Sequence, residues 1–194
     1  MSKKFSEDQV HEYLYQQGLE VLIENVPEFN VEPDAPPLEE DIDFELWRIL
    51  KARALEKIET LHDTIRYGHF LGSKVKLPTD NTRSMELDLF GQYEDGLFIL
   101  ELKVDRSAER NAFSELMAYS NYIAGIFPLS GHKDIANVLV ANLDNKITNQ
   151  AFLYDLLIND RNVIVYKPVF SDGTLQSLKL RLHLPSDEDF RHLT

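Results

Sequence analysis

Residues 85–104, MELDLFGQYEDGLFILELKV, place Glu86, Asp88, Glu101 and Lys103 in two segments otherwise built of core-forming residues. Side chains alternate across a strand, so each segment sorts into two faces. In the first, Met85, Leu87 and Leu89 face one way, and Glu86 and Asp88 the other. In the second, Phe98, Leu100, Leu102 and Val104 share a face, and Ile99, Glu101 and Lys103 share its opposite. The Asp95-Gly96 pair between them is a hairpin signal that would make the segments neighbours. Opposite or diagonal side chains then sit within about 5–8 Å, close enough for Asp88 and Glu101 to share one hard cation. The residues alone leave two readings open. One is a solvent-exposed hairpin face with alternating charges. The other is a cation site, favoured by Ile99 on the charged face and by the apolar run LFILELKV. Buried carboxylates need a metal or a paired charge to offset their desolvation.

Asp88, a spacer of 12 residues, and Glu101-Leu102-Lys103 resemble the D-(x)n-E-x-K core of the PD-(D/E)XK nuclease superfamily. The acid closes one expected strand, E-x-K lies in the next, and a helix follows. Many family members carry Q-x-x-x-Y in that helix, and Glu115 to Tyr119 matches it with Glu in place of Gln. The closing segment IANVLVANLDNKITNQAFLYDLLINDRNVIVYKP is similar to the strand–helix–strand of family members. The resemblance spans roughly Phe44 to Pro168.

This resemblance implies metal-dependent hydrolysis of phosphodiester bonds, with DNA as the expected substrate. Asp88 and Glu101 would hold Mg2+, with Mn2+ as a substitute and the backbone carbonyl of Leu102 as a further ligand. Lys103 would orient the attacking water and stabilise charge on the phosphate. Family members often add an acid from the preceding helix. Of Glu45, Glu56 and Glu59, the last lies nearest the border of the helix's apolar stripe and is the one expected. Glu86 is a spare acid. Glu115 and Tyr119, one helical turn apart, would orient Lys103 or a phosphate, or form a hydrogen-bonding pair at the helix edge. Lys74, Lys76, Arg83, Arg106 and Arg110 surround the cluster in sequence and are the candidate phosphate contacts. Lys74 and Lys76 share strand parity.

The elements that must position these groups follow from periodicity. Residues 6–24 read as a helix begun at Ser6, although LEVLIENV could be a strand. NVEPDAPPLEED is a Pro-rich acidic connector. Trp47, Leu50, Ala54, Ile58, Leu61 and Ile65 form one stripe of a helix over about Phe44 to Arg66. A strand and turn follow, and then the pair described above. Ser107 can cap a helix running to about Ala124. Asn137–Leu143 is a continuous apolar run typical of a strand buried on both faces. Ile147–Leu157 reads as a helix, and two strands flank Asp172-Gly173. The expected fold is α/β: a central mixed sheet with an antiparallel meander and a right-handed crossover, flanked by helices and restriction-endonuclease-like.

Charge divides the chain unevenly. Of the net -13, residues 1–50 hold 3 Lys/Arg against 13 Asp/Glu, and residues 51–194 hold 17 against 20. The expected division is therefore an acidic N-terminal helical extension and connector over 1–40 and a nuclease-like core over 41–194. Such acidity disfavours non-specific nucleic-acid binding and suits a protein partner for the N-terminal segment. It also supports an alternative function: a catalytically silent nuclease-fold interaction module. The absence of cysteine excludes disulfides and thiolate chemistry. No secretory signal or membrane-length apolar run is evident, so a cytoplasmic protein is expected. A homodimer would let a single site serve both strands of a duplex. His62, His69 and His132 lack metal-ligand spacing and are read as surface or core-edge residues.

Overall fold

The computed structural model describes residues 6–25, 42–78, 85–94, 96–104, 109–126, 135–142, 146–181 and 184. Ser6 starts the chain's first helix, α1 (Glu7–Gln17), through a reciprocal capping box with Gln9. The helix expected over 6–24 breaks at Gly18, whose φ of 78° is left-handed backbone that glycine adopts without strain. A short α2 (Leu19–Leu22) follows, and Ile23 then bridges Leu178. The strand and helix readings of this stretch each hold for part of it.

The long helix α3 (Ile42–Arg66) leads into β1 (His69–Leu77), β2 (Met85–Tyr93) and β3 (Gly96–Lys103). Then come α4 (Glu109–Ile126), β4 (Ile135–Ala141), α5 (Lys146–Leu157), β5 (Val163–Ser171) and β6 (Thr174–Leu180). The strands form one six-stranded sheet in sequence order. The first three form an antiparallel meander, β3, β4 and β5 are parallel neighbours, and β6 returns antiparallel. The fold is thus α/β, a mixed sheet flanked by helices. Every residue of β4 is buried, as a parallel strand covered on both faces requires.

Register defines the two sheet faces. Phe90, Ile99 and Asn137 align on one, and Glu101 pairs with Leu139 and Lys103 with Ala141 on that same side. Helix α4 covers this side, where the Ser120 hydroxyl donates to the Asn137 side-chain oxygen. Phe98, Leu100, Leu102 and Tyr166 occupy the other face. There α1 reaches the sheet through Tyr15 on Phe70 (ring centroids 5.8 Å apart) and Phe70 on Phe98 (5.7 Å). Helix α3 reaches it through His62, which is buried with its Nδ1 3.2 Å from the Tyr166 hydroxyl. Gly91 sits opposite Phe98; a Cβ there would overlap the Phe98 ring and come 2.6 Å from the His69 carbonyl oxygen.

A boundary at residue 40 follows composition, but packing does not follow that boundary. Val10, Leu14, Leu19, Leu22 and Ile23 belong to the same hydrophobic cluster as the sheet and α3. Among the described residues, no helix is long and apolar enough to cross a membrane.

Candidate active site

Asp88, Glu101 and Lys103 lie on one face of the sheet, as strand parity requires. The β2–β3 ladder runs from Tyr93↔Gly96 to Leu89↔Leu100 and stops one residue short of Asp88. Beyond that point the Asp88 side chain takes the place of a ladder partner. The Leu102 amide donates to Asp88 Oδ2 at 2.8 Å. Glu101 and Lys103 follow on β3, with Lys103 Nζ 2.5 Å from Glu101 Oε1. Helix α4 adds Glu115, whose Oε2 is 3.1 Å from Lys103 Nζ. The Lys103 ammonium is therefore held between two carboxylates.

Burial makes this cluster electrostatically costly. Glu101 is only 3% exposed, and among the described residues its Oε2 has no hydrogen-bond partner. Burial, and then the Asp88 charge, push its carboxyl from 4.5 to about 8, with the Lys103 bond pulling the other way. Asp88 is also raised, chiefly by burial, against the opposing pull of the Leu102 amide and Lys103. For Lys103, burial works downward. The hydrogen bonds and charges of Glu101 and Glu115 outweigh it and hold the ammonium above the usual lysine range. Tyr119, one turn beyond Glu115, is raised to about 12 by burial and by the Glu101 and Glu115 charges.

Ionised Asp88, Glu101 and Glu115 would exceed the single Lys103 ammonium by two negative charges. A divalent cation would remove that excess, and the unpartnered Glu101 Oε2 is a hard oxygen that could face it. Among the described residues, no group of three His, Asp or Glu side chains is arranged to hold an ion. The side chains here that could hold an ion are the carboxylates of Asp88 and Glu101. Such a pair suits Mg2+, which retains several waters. Glu115 acts on Lys103.

Other expected site residues fall elsewhere. Glu59 is exposed on α3, the helix of the opposite face, and its carboxylate has no described partner. The structure does not bring it to the cluster, because the buried stripe of α3 turns Glu59 outward. Glu86 is exposed and stands across the ladder from Lys76. Lys74 has a φ of 48°, and its ammonium pairs with Asp8 of α1 at 2.7 Å. That pairing raises Lys74 and lowers Asp8. Lys74 is thus engaged by an acid, while Lys76 is exposed on the same strand. Arg83, Arg106, the Ser107 cap, Asp95, His132 and the Arg110 side chain lie outside the described residues.

One residue at the site escaped the sequence reading. His11 is buried on α1, and its Nε2 lies 2.8 Å from the Asp88 carbonyl oxygen. The available signal was a polar side chain on the face that buries Val10 and Leu14.

No family model and no curated protein sequence matches the chain. Several solved structures are similar to it. An fdxN element excision controlling factor protein from Anabaena variabilis has 10% identity and a TM-score of 0.38, covering 69% of this chain and 98% of its own. An XisH family protein from Nostoc punctiforme has 13% identity and a TM-score of 0.36 over the same shares. A repair endonuclease from Pyrococcus abyssi has 15% identity and a TM-score of 0.33, covering 78% of this chain and 50% of its own.

Proposed function

We propose that this chain is a metal-dependent nuclease that hydrolyses phosphodiester bonds of DNA. The observation that carries the proposal is the meeting of Asp88, Glu101 and Lys103 on one sheet face, with the Asp88 carboxylate on the Leu102 amide. Asp88, Glu101 and the Leu102 carbonyl would hold Mg2+, or Mn2+ in its place. The bound ion supplies Lewis-acid polarisation of a phosphoryl oxygen and acidifies a water. Lys103 keeps its proton through the neutral range and presents positive charge to the phosphate. Glu115 holds that ammonium from α4, and Tyr119 stays a neutral hydrogen-bonding group at neutral pH.

A second reading is a catalytically silent interaction module. It is favoured by the acidic first quarter and by Asp8 occupying Lys74. One experiment separates the two. Linear, supercoiled and single-stranded DNA, and RNA, are incubated with the protein in Mg2+, Mn2+ or EDTA, for wild type and Lys103→Ala. The nuclease reading expects metal-dependent cutting that falls by at least about a hundredfold in the variant. No cutting of any substrate, with no calorimetric Mn2+ binding, leaves the silent module.

A further inference from the structure

Asp88 is a strand residue that neither neighbouring strand pairs. The β1–β2 register steps from Ser73↔Leu89 to Val75↔Leu87, leaving out Lys74 and its φ of 48°. The β2–β3 register ends at Leu89↔Leu100. In an antiparallel ladder a residue's N–H and C=O point toward the same neighbouring strand, and the residue opposite fixes both of them. Asp88 has two other tethers. Its carboxylate accepts from Leu102, and its carbonyl lies 2.8 Å from His11 Nε2. A carbonyl oxygen only accepts, so Nε2 is the protonated nitrogen and donates. The Ser73 hydroxyl lies 3.4 Å from the same nitrogen, a longer contact.

We infer that His11 is a positioning residue for the active site, fixing the Asp88 backbone so that its carboxylate stays aimed at the cation position. The inference rests on the nuclease reading for its consequence, and on local geometry for its cause. Helix α1 does not need His11 to stay seated. Its Ser6 capping box, the Asp8–Lys74 pair, fully buried Leu14 and the Tyr15–Phe70 contact hold it independently. The His11 bond is thus free to act on Asp88. A carboxylate that swings by a fraction of an ångström loses ligand geometry. The N-terminal helix becomes a working part of the site, 77 residues away in sequence from the acid it steadies.

The test uses the full chain with His11→Leu, which removes the donor and stays apolar, and His11→Gln, whose side-chain amide can donate to the same carbonyl. The first readout is amide hydrogen exchange at Leu102 in EDTA, with Leu100 as the internal reference. The second is Mn2+ affinity by calorimetry. His11→Leu should speed Leu102 exchange about tenfold relative to Leu100 and weaken Mn2+ binding about tenfold or more. His11→Gln should return both to within about threefold of wild type. Unchanged Leu102 exchange and Mn2+ affinity in His11→Leu overturn the inference while leaving the nuclease reading intact. Equal acceleration at Leu100 and Leu102, or no recovery in His11→Gln, also overturns it, because His11 would then serve packing alone. If wild type neither binds Mn2+ nor cuts, the nuclease reading fails, and the metal-free exchange ratio still decides whether His11 holds Asp88.

Discussion

Glu101→Gln should stabilise the metal-free protein at alkaline pH, with a defined pH profile. The Glu101 carboxyl has an ordinary value of 4.5 and sits at about 8 in the folded chain, chiefly because it is buried and next because Asp88 is charged. A carboxyl raised on folding holds its proton more tightly in the folded state. Its contribution is therefore complete below pH 4.5, is lost as pH rises from there through about 8, and is flat beyond. Each pH unit of that interval corresponds to about 1.4 kcal/mol, so the whole amounts to roughly 3–5 kcal/mol. Glutamine keeps the side-chain shape and an acceptor for Lys103 but does not titrate.

Urea unfolding of both proteins in EDTA, stepped from about pH 5 to about pH 9, measures the profile. The two proteins should be close in stability at the acid end. The variant should gain on wild type by roughly 3–5 kcal/mol toward the alkaline end. A difference that stays constant within about 0.5 kcal/mol across the range would falsify the burial argument for Glu101. Adding Mn2+ should then close most of that gap at the alkaline end and put wild type ahead at the acid end, wherever the ion still binds. Wild type gains about 2.7 kcal/mol at a hundredfold excess over Kd, and the variant, lacking a ligand, gains little. The acid that builds the site is the same one that weakens the metal-free fold.

Leu14→Ala should cost about 2–5 kcal/mol in urea unfolding, since Leu14 is fully buried against the shared core; a loss near zero would make α1 a peripheral appendage. Gly91→Ala should cost about 1–3 kcal/mol, because the new Cβ meets the Phe98 ring and the His69 carbonyl; wild-type stability would mean that β2 and β3 can part there. Asp8→Asn should free Lys74 for phosphate and steepen the salt dependence of DNA binding by about one unit of log–log slope. An unchanged slope would mean Lys74 does not reach the backbone.

Local patterns in the sequence carried the sheet and the heart of the site. Alternation assigned Asp88, Glu101 and Lys103 to one face, and a two-residue period leaves little freedom once the opposite face is buried. The short apolar run Asn137–Leu143 announced a strand covered on both sides, which the structure places two residues earlier, at Ile135–Ala141. What the sequence hid depends on contacts between distant segments. Glu59 stood near the edge of the α3 stripe, and which sheet face α3 covers is decided by docking, not periodicity. The acidic composition of residues 1–40 suggested an appendage, yet a few apolar side chains spaced along α1 and α2 suffice to place them in the core. Composition averages over faces, and packing uses only one face.

The charges of the described residues also bear on how a polyanion could approach. Lys103 is held by Glu101 and Glu115, Lys74 by Asp8, and Lys76 stands across the ladder from Glu86. Each described lysine of the site region thus faces an acid, around a cluster with more carboxylates than ammonium. Phosphate binding normally draws on free cationic side chains and shows in a steep salt dependence. On the proposed nuclease reading, with Lys74 and Lys103 already paired with acids, a divalent ion at Asp88 and Glu101 would have to favour substrate binding as well as chemistry. DNA affinity should therefore rise with Mn2+ or Ca2+ far more than it falls with monovalent salt. A binding curve measured in EDTA that already has nanomolar affinity and a steep salt slope would show that cations other than Lys74, Lys76 and Lys103 carry the contact.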